Sequence, residues 1–270
     1  MDDPAWVSST ERLHLKASYV RLHENLLDLT HLSFLHANSF GTPDYATAPF
    51  ETDLDETEGR FTILRRVVPT RLPPLWALPT GLSGVDAARI AQSTFLGPGL
   101  HEVAVKFYAC AQPEDQQPSR AIRTAHIVTP ESATGTHYFI QHARNFALAD
   151  DAITGFMHAQ LRQAFQEDVD GLEAVEALLA RLALLALLAL LAQYPERQPE
   201  VQFHADKASL AMRRYLLRRA VAERGSAGAG VAGLASAGAG VVGPASAGTG
   251  VAGHVGADAG VAGHAGAGAG

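Results

Sequence analysis

The sequence predicts an α+β domain, a curved antiparallel sheet gripping a long C-terminal helix, followed by a disordered tail. Three observations carry this. Short runs alternating Val, Ile, Phe and Tyr with polar residues crowd positions 58–142. A helical pattern then runs from about 150 to 193 and stops before Tyr194-Pro195. The last stretch, 225–270, holds one charged residue, Asp258, and most of the chain's 25 glycines. Such a segment cannot bury enough surface to offset its backbone entropy.

The elements follow in order. Residues 12–20 alternate well enough for a first short strand, and a leucine-rich helix follows to about Ala37. Asn38 to Pro43 are turn residues. Strands are expected over 58–68, 102–111, 121–129 and 135–142. Between the first two, the Pro-, Gly- and Leu-rich run 69–98 reads as a cap or lid over one end of the sheet. The long helix degenerates over 177–192 into Leu-Leu-Ala triplets without a polar face, so it should be buried all round or lie in a subunit contact. A last helix is expected over 206–224 with Asp206 as its N-cap. One domain, 1–224, thus precedes the tail, 225–270. The tail repeats about every ten residues from Ser226, and its Gly228, Gly230 and Gly233 imitate a dinucleotide-binding spacing. No strand feeds that triplet and no helix follows it, so the match is discarded.

Composition narrows the partners. The net charge is −7, which argues against nucleic acid. The one basic cluster, Arg213, Arg214, Arg218 and Arg219, reads as a solvated or subunit-facing surface. Cys110 is the single cysteine, so one chain can form no internal disulfide and no Cys-ligated cluster. That fits a reducing, cytoplasmic setting. No secretory signal opens the sequence, and the apolar run 182–192 is too short to cross a bilayer, so no membrane partner is expected. Cys110 reads as a small buried hydrophobe. His14, His23, His101, His142, His158 and His204 have no partner pattern and read as surface residues.

The chemistry concentrates in Asn25-Leu26-Leu27-Asp28-Leu29-Thr30-His31-Leu32-Ser33-Phe34-Leu35-His36. Leucine-rich helices do not bury Asn, Asp and two His unless something satisfies them, and a metal ion would. Two neutral imidazoles and one carboxylate suit non-haem iron(II). His31 and His36 stand about 140° apart on an ideal helix, so the helix must bulge or unwind between them. The carboxylate must come from elsewhere. Glu167, Asp168 and Asp170 on the long helix are the candidates, while Asp28 is placed to orient His31 from behind.

This pattern resembles Rieske-type aromatic oxygenases, and within them the vanillate O-demethylase and dicamba monooxygenase branch. The resemblance rests on Asn25-x2-Asp28-x2-His31-x4-His36 and on Gln166-Glu167-Asp168. Thr124-Ala125-His126-Ile127-Val128-Thr129-Pro130-Glu131 and the run from His137 to Phe146 add to it. The resemblance implies a helix-grip (START/Bet v 1-like) fold over roughly 5–224. It implies that His31, His36 and Asp168 hold Fe(II), with Asn25 near the open metal positions and Asp28 carrying electrons to His31 from a neighbouring subunit. His126 would contact the substrate carboxylate.

The implied reaction is O2-dependent hydroxylation, and so O-demethylation, of an aromatic carboxylate such as vanillate. The implied assembly is a homotrimer fed by a reductase or ferredoxin, with NAD(P)H acting through the reductase. In that family a Rieske domain with two Cys and two His ligands lies directly before this region. Cys110 alone cannot build such a centre, so the [2Fe–2S] Rieske cluster is expected from another chain. Two alternatives stay open at this stage: a truncated, inactive fragment, and a non-enzymatic helix-grip binder of an apolar small molecule.

Overall fold

A computed structural model of the chain describes residues 3–191 and 203–226. The repeat tail beyond 226, with its predicted disorder, lies outside the described residues. Seven antiparallel strands form one sheet in the order β1-β7-β6-β5-β4-β3-β2. The strands are β1 (Val7–Leu15), β2 (Phe50–Asp55), β3 (Arg60–Thr70), β4 (Ala87–Gly97), β5 (Leu100–Ala109), β6 (Ala121–Ser132) and β7 (Gly135–Arg144). Helices α1 (Tyr19–Leu27), α2 (Pro74–Thr80), α3 (Asp151–Leu191) and α4 (Lys207–Ser226) complete the α+β architecture.

Alternation fixes which face is buried. Ile122, Thr124, His126 and Val128 of β6 and Tyr138, Ile140, His142 and Arg144 of β7 point inward, with exposed or half-buried residues between them. The first half of α3 lies in the sheet's grip. Met157, Leu161, Ala164, Asp168, Val169 and Leu172 are buried at helical spacing. Each large apolar residue in that stripe contributes about 2 kcal/mol. Asp168 is the one carboxylate in the stripe, which is why it reaches the interior.

Several expectations need correction. The first strand is Val7–Leu15, because Ser18 caps α1 through Arg21 N–H at 3.4 Å and Tyr19 already belongs to the helix. The run 69–98 is no lid: it supplies α2 and the full strand β4, paired to β3 and β5. Strand β4 is buried on both faces over much of its length, so its sequence does not alternate. Strand β2, with the sequence Phe-Glu-Thr-Asp-Leu-Asp, was not anticipated.

The described part of the Leu-Leu-Ala stretch of α3, 177–184, is not buried within this chain. Val175, Leu178, Leu182 and Leu184 are all exposed, and residues 192–202 lie outside the described residues. Asp206 accepts the Phe203 N–H at 2.7 Å and so closes the short turn before α4 instead of capping α4 directly. Cys110 is exposed just after β5, not buried. Three of the late arginines tie α4 down, Arg213 through Glu24 and Arg214 and Arg218 through Glu56, while Arg219 pairs with Glu223 on α4 itself and stays on the surface. Among the described residues no helix is long and apolar enough to cross a membrane.

Candidate metal centre

Helix α1 does not run on to Ala37. Asp28 ends it with extended backbone angles, φ −102° and ψ 96°, and its carboxylate accepts Thr30 N–H at 2.9 Å to open a 3₁₀ turn, Leu29–Ser33. That change of winding removes the angular mismatch between the two imidazoles. Gly41 closes the following loop by donating its N–H to His36 O at 2.9 Å. A Cβ at position 41 would lie 1.7 Å from Leu32 O, so only glycine fits.

The result is convergence. His31 Nε2 lies 3.5 Å and His36 Nε2 3.1 Å from Asp168 Oδ1. One ligand atom from each residue falls within 4.8 Å of the others. Asn25 Nδ2 donates to Asp168 Oδ1 at 2.9 Å. His36 is fully buried and Asp168 nearly so.

The far ring nitrogens decide how these donors present themselves. His31 Nδ1 faces the backbone carbonyl of Asp28, an acceptor only, so Nδ1 carries the proton. His36 Nδ1 faces Glu167 Oε2 at 2.8 Å and is protonated for the same reason; Ser39 donates to that oxygen at 2.7 Å. In their neutral forms both rings therefore turn a bare Nε2 lone pair toward a carboxylate oxygen. Lone pairs facing one another repel unless a cation lies between them, and two imidazoles with one carboxylate suit iron(II). The donor set fits the metal.

Protonation answers the same need in part. Burial opposes charge on His36, but hydrogen bonds and charges of Asp168 and Glu167 outweigh it, and its pKa is raised. Burial dominates at His31, whose pKa is lowered despite Asp168. Asp168 is likewise buried, yet His36, His31 and Asn25 hold its pKa below the usual carboxylate range.

Asp28 stands beside the centre. Its carbonyl orients His31, its carboxylate oxygen Oδ1 accepts from Thr30, and the residue lines a groove of about 340 Å³ shared with Arg21, Glu24, Asn25 and Arg213. His126 is separate from the ligands, on the sheet face, with Nδ1 bonded to the Tyr138 hydroxyl and its ring 6.0 Å from that of Phe165. Burial lowers its pKa to about 3, so it is neutral. Asp170 is occupied by Gln166 Nε2 at 2.8 Å, away from the imidazoles.

The sequence reading missed the roles of Glu167 and Ser39 behind His36, and of Phe40, which stacks on His36 at 4.5 Å between ring centroids. It also misplaced His23, His101 and His142, all buried. They bond to Pro98 O, Ser93 Oγ and Thr124 Oγ1, partners from distant strands and turns that no local pattern signals. His14 is exposed and His158 half-buried, each facing a glutamate.

Comparison with known proteins settles the lineage. Residues 15–222 match the family described as vanillate O-demethylase oxygenase C-terminal domain. The chain belongs to that family. Over 224 residues it is 32% identical to a toluene-4-sulfonate monooxygenase system iron-sulfur subunit of Comamonas testosteroni, covering 81% of this chain and 60% of that protein. It is 29% identical over 233 residues to a vanillate O-demethylase oxygenase subunit of a Pseudomonas species, covering 83% and 65%. The chain thus spans about 60% of the length of such relatives. Among solved structures, dicamba monooxygenase bound to 3,6-dichlorosalicylic acid superposes with a TM-score of 0.70 at 22% identity, covering 82% of this chain and 61% of that one. That likeness places the family's catalytic fold on this chain: a helix-grip sheet around α3.

Proposed function

We propose that this chain is the mononuclear iron domain of an aromatic monooxygenase or O-demethylase, acting on an arene that bears an acid group. His31, His36 and Asp168 would hold iron(II), which supplies activation of O2 for oxidation of the substrate. The observation that carries this reading is the meeting of two Nε2 atoms and one carboxylate oxygen, each ring fixed from behind by Asp28 O or Glu167. Asn25 anchors Asp168 Oδ1 and so fixes the direction in which the third ligand points. His126, neutral and buried, offers a hydrogen bond to the substrate from the sheet face. The relatives named for vanillate and toluene-4-sulfonate motivate an aromatic carboxylate or sulfonate as substrate.

Electrons enter through Asp28 in this reading. Asp28 lines a groove at which another polypeptide carrying a Rieske centre, supplied in turn by a reductase, would dock, and a homotrimer would set neighbouring subunits there. The deciding experiment measures iron. The protein should bind one Fe(II) per chain after anaerobic loading and desalting, and His31→Ala and Asp168→Ala should lose it; equal iron in all three would defeat the proposal. With a Rieske partner and reductant added, formaldehyde released from vanillate then tests the substrate class. Ligand binding indifferent to iron and chelators would favour a simple binding module.

A further inference from the structure

The concave face of the sheet carries two guanidiniums that the metal centre does not use. Arg65 on β3 and Arg89 on β4 are 1% and 3% exposed, flanked on their strands by the core residues Ile63, Val67, Ala87 and Ala91. Each gives one N–H to a backbone carbonyl: Arg65 Nη1 to Tyr45 O, and Arg89 Nη1 to Phe40 O at 3.1 Å. Among the described residues neither has a carboxylate within ion-pair distance. Asp28 acts on Arg65, and Asp44 on Arg89, only through space. Asp44 Oδ1 is itself buried without a partner, so that acid is not engaged by the arginine.

Aromatic rings wall the pair in. The Arg89 guanidinium carbon lies 4.6 Å from the Tyr45 ring centroid, 5.5 Å from Phe40 and 5.8 Å from Trp76, and that of Arg65 lies 5.7 Å from Tyr45. Ring faces offset part of the cost of burying the charges. They leave four donors unanswered: Nε–H of both arginines, the Tyr45 hydroxyl and the Trp76 indole N–H are all buried and unpartnered. Folded proteins rarely leave such groups unmatched, so a cluster of them marks the place of an acceptor. Two positive charges beside that place specify an anionic one.

We propose that Arg65 and Arg89 bind the acid group of the substrate, an arene carboxylate or sulfonate. This deepens the oxygenase reading and rests on it. Phe40 joins the two places: its ring stacks on His36 while its carbonyl and ring both touch Arg89. The cationic pair is therefore one aromatic ring away from the metal ligands, the scale of a single benzene ring between an acid group and a reacting substituent. His126, held neutral by burial, brings no charge to this place. The third arginine buried on this face, Arg144, is committed to Phe146 O, Ala147 O and Thr154.

Calorimetric titration of the full chain with toluene-4-sulfonate and its neutral isostere toluene-4-sulfonamide tests the assignment. The anion should bind at least about tenfold more tightly, the scale of hydrogen bonds to a charged group. Arg89→Met should abolish that preference. Tyr45→Phe removes only an unpartnered hydroxyl, so it should raise the melting temperature of the ligand-free protein while weakening the sulfonate severalfold and sparing the sulfonamide. It keeps the test open if Arg89→Met does not fold. Equal affinity of the wild type for anion and isostere, or undiminished anion binding by folded Arg89→Met, overturns the proposal; the guanidiniums would then be staples for the loop at Phe40–Tyr45. Co(II) binding on the same samples separates the two readings. Wild type that binds Co(II) without preferring the anion refutes this inference alone, whereas failure to bind Co(II) strikes the iron reading.

Discussion

Two sets of imidazoles sit in the interior of this molecule, and they behave in opposite ways. His36 faces Asp168 and Glu167, and its pKa is raised; among the described residues His23, His126 and His142 have no carboxylate in hydrogen-bond range, and burial lowers theirs to about 4, about 3 and about 3. All four are buried. Burial by itself therefore makes histidine a neutral lining group, and an acid in hydrogen-bond range makes it a cation or a ligand. His31 shows the limit of that rule. It shares Asp168 with His36, and a proton on one ring repels a proton on the other, so burial prevails. One divalent ion answers both rings at once.

The largest effect should come from breaking the acid side of this contrast. Asp168→Asn keeps shape but removes the shared charge. Metal affinity, read by competition with a chromophoric chelator, should fall by more than about 100-fold, beyond the usual cost of losing an outer partner. Acidification probes the other set. The folded pKa values lie below the ordinary 6.5, at about 4 for His23 and about 3 for His126 and His142, so the unfolded chain binds more protons from about pH 6.5 down to those values. Stability rises with pH through that window and is lost as pH falls, by about 1.4 kcal/mol per pH unit for each ring. Urea midpoints at pH 7.5, 6 and 5 should show this fall, and His142→Gln should flatten it. His36 works in the opposite sense: with its folded pKa raised, its contribution in the metal-free protein is present at low pH and lost on going alkaline.

Smaller still is the effect of Glu167→Gln, which leaves a neutral acceptor behind His36 but removes the charge. Metal affinity should drop about tenfold, while Asp170→Asn, which loses only its bond to Gln166, should leave it unchanged. Equal losses in both variants would mean that general acidity of α3, not a specific hydrogen bond, supports the site.

Much of this was legible in advance, for identifiable reasons. Strands β3, β5, β6 and β7 show one face to the core and one outward, so alternation reveals them. Strand β4 is covered on both sides and rich in alanine, and its sequence carries no such rhythm. The choice among Glu167, Asp168 and Asp170 came from the family resemblance alone; the structure supplies its physical basis, since Met157, Leu161 and Ala164 define a buried stripe whose next member is Asp168. The end of α1 at Asp28 was not readable, because Leu29-Thr30-His31-Leu32 prolongs the helical pattern. Contacts from α3, 130 residues or more away, hold the turned histidines in place. Arg65 was invisible because a charged residue inside a strand reads as outward-facing until the register is known, and Arg89 because it lies in the run 69–98 that reads as a lid.

The turn that draws His31 and His36 together has an outward side as well. The residues between them must loop away from the ligands, and Phe34 is left 75% exposed. A bulky apolar side chain thus marks the protein's exterior at the end of the turn that carries His31. Once Cys110, the chain's one thiol, is replaced by serine, a spin label attached through cysteine at position 34 would sit a side chain's length from the ligand turn. Paramagnetic broadening between such a label and a bound ion would then report occupancy from outside, without touching any group that holds it.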